Sequence, residues 1–152
     1  MFLDTSIIVK LLVTEADSEF YQNALADQRL SASELALTET WSTLLFKERQ
    51  KEITVAQRTA AWRVFRERVE AKELVLHPLN SAVLRKANHI LERCHPAVPL
   101  RTLDAIHVAA CDLAQDFPLC TTDRRMREAA GVLGIPLFPA DENAVRITKR
   151  LA

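Results

Sequence analysis

The chain has 152 residues, 49% hydrophobic and 26% charged, with 20 lysines and arginines matched by 20 aspartates and glutamates. That length fits one domain with its own core, so we expect a single domain over 1–152, with a helical or flexible tail at 140–152. The balanced charge gives no global argument for nucleic acid, although local basic patches are still allowed. The two glycines are too few for a glycine-rich phosphate loop.

The composition also argues against a membrane protein or a secreted one. The sequence has no apolar stretch long enough to span a bilayer, and its start lacks the basic region and cleavage site of a signal peptide. We therefore expect a cytoplasmic protein with no membrane contact. The three cysteines include no CxxC pair and are expected to be small buried side chains.

Short apolar segments alternate with helical patterns from the first residue onward. In chain order the sequence predicts a strand at 2–3, helices at 5–13 and 17–28, a strand at 30–33, helices at 37–50 and 54–72, a strand at 74–77, helices at 80–94 and 102–115, a strand at 118–121, a helix at 123–130 and a strand at 135–138. Strands that alternate with helices need crossover connections, so we predict an α/β fold with a small, mainly parallel sheet of four to five strands flanked by helices.

Several helix ends and faces can also be predicted. Thr54 and Thr102 precede helical patterns and are expected to cap them. The apolar spacing places four further side chains on inner helix faces: Val55, Leu84, Leu103 and Leu113.

Four acidic residues fall at strand-to-helix junctions or near helix starts: Asp4, Glu39, Asp104 and Asp123. Each one alone is typical of a helix cap, because a carboxylate there accepts from free N–H groups and complements the dipole. In a parallel sheet these junctions share one edge, so the four can converge. Crowded carboxylates repel one another unless a cation joins them, and hard ions such as Mg²⁺ or Mn²⁺ prefer oxygen ligands. Such a metal site can activate water and neutralise a phosphodiester.

Four segments carry a family resemblance: FLDTSIIVKLL, SELALTETWSTL, LRTLDAIHVAAC and CTTDRRMREAAG. In this order they resemble the PIN-domain ribonucleases, and within them the VapC-type toxins of bacterial toxin–antitoxin pairs, over nearly the whole chain. The resemblance implies a three-layer α/β/α fold and Mg²⁺- or Mn²⁺-dependent endonucleolytic cleavage of RNA, with tRNA and ribosomal RNA as the two candidate substrates. It also implies a homodimer and a neutralising VapB-type antitoxin.

The family's acidic quartet falls on the four acids already named. The spacing to the helix favours Glu39 over Glu34, which we expect to precede the helix. The small hydroxyl residue of the last family motif matches Thr121, and the hydroxyl after the first acid falls on Thr5 or Ser6. These hydroxyl groups are expected to orient waters or carboxylates from behind the ligands.

Other polar residues near the acids have two interpretations each. His107 shares a helix face with Asp104 and is expected to be a packed, hydrogen-bonded side chain that supports the ligands, because a zinc site there would lack a fourth ligand. Three arginines flank two of the acids and either hold an RNA backbone or are ordinary surface charge: Arg101, Arg124 and Arg125.

Two other functions fit parts of the sequence. One is a non-catalytic RNA- or protein-binding protein of the same fold. The other is a phosphotransferase that uses Asp4 as its nucleophile, against which Ser6 stands where a second aspartate is expected. The complete acidic quartet favours the metal-dependent endoribonuclease over both.

Overall fold

The computed structural model describes residues 1–141, so residues 142–152 of the predicted tail lie outside the described residues. In the described range the strands are β1 (Phe2–Leu3), β2 (Leu30–Ser33), β3 (Leu74–His77), β4 (Leu119–Cys120) and β5 (Leu137–Phe138). The helices are α1 (Thr5–Leu12), α2 (Ser18–Leu25), α3 (Leu35–Arg49), α4 (Val55–Glu70), α5 (Ser81–Cys94), α6 (Thr102–Ala114) and α7 (Arg124–Leu133).

The strands form one five-stranded sheet in the order β3-β2-β1-β4-β5, and every neighbouring pair is parallel. The predicted small parallel sheet is therefore confirmed. Strand order runs in one direction from β1 to β3 and in the other from β4 to β5. The carboxyl ends of β1 and β4 are thus the point where the order reverses, which is where open α/β sheets bind ligands.

Helices cover both faces of the sheet, because successive strand residues point to opposite sides. Phe2 and Leu119 are fully buried in a cluster with α5, α6 and α7, whereas Leu3 and Cys120 are fully buried in a second cluster with α1 to α4. Two separate apolar layers around one sheet make the three-layer α/β/α arrangement that the resemblance implied.

The helix starts agree in part with their predicted caps. Thr54 caps α4 in a capping box, in which its hydroxyl accepts from the Gln57 N–H and the Gln57 side chain accepts from the Thr54 N–H. The prediction for Thr102 was wrong by one position, because Thr102 is the first residue of α6 and Arg101 holds the cap position.

The prediction that Val55, Leu84, Leu103 and Leu113 face inward was wrong, since all four are exposed. Val55 is the first residue of α4 and points away from the apolar cluster that buries Ile53 before it and Ala61 after it. The core positions of α6 are instead taken by a run of seven buried residues from Ala105 to Cys111. A helix buried on most of its circumference carries no clear apolar stripe, so its periodicity could not identify which leucine faces water.

Across residues 1–141, no helix combines the length and apolarity needed to cross a membrane.

Candidate active site

Asp4 lies at the carboxyl end of β1, where the sheet order reverses. Its backbone N–H donates to the Cys120 carbonyl at 3.0 Å, which extends the β1–β4 pairing and fixes its position. Asp4 also occupies the N-cap position of α1, and its carbonyl accepts from the N–H groups of Ile7 and Ile8. Its carboxylate makes no capping hydrogen bond. The side chain that looks like a helix cap is therefore available for another purpose.

Two hydroxyl groups hold that carboxylate instead. Ser6 Oγ donates to Asp4 Oδ2 at 2.7 Å, and Thr121 Oγ1 donates to the same oxygen at 3.0 Å. Asp4 is only 6% exposed and Thr121 is fully buried, so the Thr121–Asp4 bond is buried, whereas the bond from the half-buried Ser6 lies at the groove. Concentrating both donors on one oxygen leaves the other oxygen without a hydrogen bond in residues 1–141.

Thr121 also connects Asp4 to Asp123. The backbone N–H of Asp123 donates to Thr121 Oγ1 at 3.0 Å, so this hydroxyl accepts from one acid's backbone while it donates to the other acid's side chain. Asp123 caps α7, with Oδ1 accepting from the Met126 N–H at 3.0 Å. One of its oxygens is thus engaged in capping.

Asp104 is the third residue of α6, and its Oδ2 accepts from the Arg101 N–H at 3.3 Å. Burial raises the pKa of Asp104, and the negative charges of Asp123 and Asp4 raise it further. Asp104 therefore lies within electrostatic range of both Asp123 and Asp4. Among the described residues, no lysine or arginine forms an ion pair with any of the three.

Glu39 has different surroundings. It lies in the second turn of α3, since the helix begins at Leu35. Its Oε2 accepts from Thr5 Oγ1 at 2.6 Å and lies 2.5 Å from His107 Nε2. Burial alone would raise the pKa of Glu39, but the hydrogen bonds from His107 and Thr5 outweigh burial and lower it. The expectation that His107 supports Asp104 is therefore corrected, because its hydrogen bonds go to α3 and α1.

The four acids line one open groove of about 570 Å³ together with Thr5, Ser6 and His107. Thr121 lies behind the groove wall, bonded to Asp4. Glu34 takes no part, because it precedes α3 and its carboxylate accepts from the Leu79 N–H at 2.9 Å. The sequence-predicted acids are thus brought together at one edge of the sheet, with Glu39 and not Glu34 as the fourth.

Comparison with known proteins agrees with this arrangement. Residues 1–132 match the PIN domain family. The chain is also similar to a protein described as Ribonuclease VapC46 from Mycobacterium tuberculosis, with 35% identity over 144 residues that cover 91% of this chain and 95% of the relative. The chain belongs to the PIN-domain family, and within it to the VapC type.

The donor set of this PIN domain suits a hard divalent cation. Each of the four acids has one oxygen in hydrogen bonds and a second oxygen with none to the described residues. Oxygen donors with crowded negative charge are what Mg²⁺ and Mn²⁺ prefer. No three His, Cys, Asp or Glu side chains within residues 1–141 are placed to hold an ion directly as they stand. Because Mg²⁺ commonly retains several waters and takes only one or two carboxylates directly, the residues fit the ion without a closed cage.

Some residues of the groove were missed by sequence reasoning. The additional lining residues of the PIN site are Ser42, Thr43, Leu103, Thr122 and Met126. Ser42 and Thr43 follow Glu39 by three and four positions on α3, which places them on the same helix face, so this spacing could have identified them. Leu103 has no such signal, because an exposed leucine at a groove mouth looks like a core residue in the sequence.

The three arginines take different positions. Arg124 and Arg125 line a second groove of about 920 Å³ that shares Asp123 with the acidic groove. Ala97, Val98 and Pro99, between α5 and α6, also line this second groove. Arg101 caps α6 and belongs to neither of these two grooves.

Proposed function

We propose that this PIN protein is a metal-dependent endoribonuclease, the toxin of a toxin–antitoxin pair, and that it hydrolyses RNA phosphodiester bonds at the acidic groove. The observation that carries the proposal is the convergence of Asp4, Glu39, Asp104 and Asp123, each with one unengaged oxygen. Burial and the charges of Asp123 and Asp4 raise the pKa of Asp104, and a bound cation would offset this crowding of negative charge. The nuclease name of a relative that covers nearly the full chain supports the same reaction.

In this proposal the side chains divide the work. Asp4, Asp104, Asp123 and Glu39 bind one or two Mg²⁺ or Mn²⁺ ions. Ser6 and Thr121 keep one oxygen of Asp4 engaged, so that the other faces the ion in a fixed orientation. A bound ion would lower the pKa of the attacking water and neutralise charge on the phosphodiester.

The second groove gives the RNA a path beside the acids. Arg125 and Arg124 lie directly after Asp123, so a phosphate held there sits next to the site. Arg124 also pairs with Glu128 at 2.7 Å and stays 87% exposed, so RNA has to compete for it. We propose Arg101 as a further backbone contact at the start of α6. Arg125→Ala should weaken RNA binding and reduce its dependence on salt, with cleavage chemistry retained.

The RNA proposed as substrate is tRNA or ribosomal RNA, the partner a VapB-type antitoxin, and the assembly a homodimer. Growth arrest on expression, relieved by co-expression of a small protein encoded beside this chain, would support the toxin role. Arrest that persists when Asp4→Asn is expressed would contradict it, since that variant lacks the proposed ligand.

The direct test is cleavage of structured RNA by the purified protein. We expect cleavage with Mg²⁺ or Mn²⁺, none with EDTA, and none by Asp4→Asn. The matched control is Asp112→Asn, which removes an aspartate from α6 that pairs with Lys86 and lies outside the acidic groove. Cleavage that survives both EDTA and Asp4→Asn would exclude this mechanism. RNA binding in Mn²⁺ without any cleavage would favour a non-catalytic binding protein instead.

A further inference from the structure

Glu39 is held by a triangle of hydrogen-bonding groups from three helices. Thr5 of α1 and His107 of α6 both reach its Oε2, at 2.6 Å and 2.5 Å. Thr5 Oγ1 and His107 Nε2 are themselves 3.4 Å apart. The three residues are 34 to 102 positions apart in the sequence, so the triangle forms only when all three helices are in place.

The ring nitrogen that His107 uses as a donor follows from this network. Glu39 Oε2 accepts, so the proton lies on His107 Nε2. Nδ1 of the same ring is buried and has no hydrogen-bond partner among the described residues, and the whole side chain is 2% exposed.

A purely structural role explains the ring poorly. A buried ring with one unsatisfied nitrogen is a costly way to fill space in α6, where the neighbouring core residues Ile106, Val108 and Ala109 are all apolar. What the ring does provide is a hydrogen bond to one oxygen of an acid that lines the groove.

We propose that His107 and Thr5 are positioning residues that hold the Glu39 carboxylate in its ion-binding orientation before the cation arrives. The inference rests on the proposed metal-dependent function and adds to it a residue, His107, that does not itself touch the ion. By engaging Oε2 from two sides, the pair fixes the side-chain torsions of Glu39 and leaves Oε1 for the ion. Such outer partners of metal ligands are worth about 10- to 100-fold in metal affinity.

The test measures Mn²⁺ affinity of the full chain without RNA, by calorimetric titration or by the electron paramagnetic resonance signal of free Mn²⁺. His107→Leu should weaken Mn²⁺ binding by about 10-fold or more. His107→Gln places an amide N–H near the Nε2 position and should recover most of the affinity. Thr5→Val removes the hydroxyl at constant shape and should weaken binding several-fold, with Thr5→Ser restoring it.

The matched control is Thr40→Val. Thr40 follows Glu39 on α3, is fully buried, and its hydroxyl has no hydrogen-bond partner in residues 1–141. This variant therefore removes a buried hydroxyl from the same helix without touching the triangle, and its Mn²⁺ affinity should match that of the wild type.

Each result supports the proposal or overturns it. Folded His107→Leu and Thr5→Val proteins with wild-type Mn²⁺ affinity would overturn it, as would His107→Gln binding as weakly as His107→Leu. If His107→Leu fails to fold, the Thr5→Val and Thr5→Ser pair decides the question. Failure of the proposed function would give a different result. The wild type would then bind no Mn²⁺, or Asp4→Asn would bind Mn²⁺ as tightly as the wild type does. Either result would reject both the metal-dependent function and the positioning role of His107 and Thr5.

Discussion

The two sides of the acidic groove are built on opposite principles. On the glutamate side, formed by Thr5, Glu39 and His107, one carboxylate receives two hydrogen bonds and its pKa is lowered. On the aspartate side, formed by Asp4, Asp104 and Asp123, burial and the neighbouring charges raise the pKa of Asp104. The protein partners of Glu39 outweigh its burial and lower its pKa, whereas at Asp104 burial and the nearby carboxylates together raise it. The contrast shows that acids lining one groove can differ in the sign of their pKa shift because their nearest partners differ.

The largest expected effect comes from the aspartate side under reaction conditions. Asp104→Asn removes a proposed ligand, and we expect kcat/KM for RNA cleavage to fall by more than about 100-fold, beyond the loss typical of an outer partner. Initial rates at saturating Mn²⁺, with Asp112→Asn as the control, measure this effect. A loss under threefold would remove Asp104 from the site.

Cation binding should next reveal the uncompensated charge as a change in stability. An ion that binds only the folded protein stabilises it by about 2.7 kcal/mol when its concentration is 100 times Kd. For a chain of this size that corresponds to a rise in Tm of roughly 5–10 °C. Thermal melts with and without Mn²⁺ should show the rise in the wild type and much less of it in Asp104→Asn. Equal rises in both proteins would place the ion elsewhere.

Without metal, the two sides should respond to neutralisation with opposite signs. Asp104→Asn removes repulsion and should raise Tm by about 2–4 °C for each kcal/mol gained. Glu39→Gln replaces the charged carboxylate oxygen that accepts from Thr5 and His107 with a weaker, neutral acceptor, and should cost about 1–3 kcal/mol. Melts in the presence of a chelator give both values. If both variants changed Tm in the same direction, the carboxylates of Asp104 and Glu39 would not have opposite effects on stability.

In the metal-free protein, the stability contributions of Asp104 and Glu39 should depend on pH in opposite directions. The folded-state pKa of Asp104 lies above its unfolded value of 3.8, so its contribution to stability is full below that value and is lost as pH rises through the folded pKa. Glu39 behaves in reverse: its folded-state pKa lies below 4.5, so its contribution is present above 4.5 and is lost as pH falls through the folded pKa.

Melts of the wild type and both variants between about pH 3 and pH 7, in a chelator, measure this difference. The advantage of Asp104→Asn over the wild type should grow as pH rises, and the deficit of Glu39→Gln should shrink as pH falls. A pH-independent difference for Asp104→Asn would show that neither burial nor the charges of its neighbours raise the pKa of Asp104.

The smallest expected effect concerns the other glutamate of the same segment. Glu34→Gln keeps an acceptor for the Leu79 N–H, so we expect a change in stability within about 1 kcal/mol and no change in RNA cleavage. Assayed beside Glu39→Gln, it checks which glutamate belongs to the site. A marked loss of cleavage in Glu34→Gln would reverse that assignment.

The sequence was sufficient to predict the sheet and the positions of the acids, because both depend on local patterns. Asp4 directly follows β1 and Asp123 lies three residues after β4, and parallel strands bring such junctions to one edge. The partners of Glu39 were not predictable in this way. Thr5 and His107 reach it across 34 and 68 residues, and hydrogen bonds between distant helices leave no periodic signal.

The exposed leucines show a second limit. Leu103 and Leu113 lie in α6, whose middle is buried on nearly every side. The sequence of α6 therefore has no apolar stripe that would distinguish the inner face from the outer one. Their orientation depends on where α5, α7 and the groove lie around α6, which is a property of the packed molecule and not of the segment.

The hydrogen bond between Thr121 and Asp4 joins residues 117 positions apart and closes the site between β1 and β4. During synthesis this hydrogen bond can form only after Thr121 has left the ribosome, since domains fold as units once their long-range contacts can form. A chain that stops before Thr121 carries Asp4, Glu39 and Asp104 but lacks the strand and the hydroxyl that hold the first of them. Because β4 is the neighbour of β1 in the sheet, the acidic groove can assemble only after the chain has been made through β4 and the start of α7.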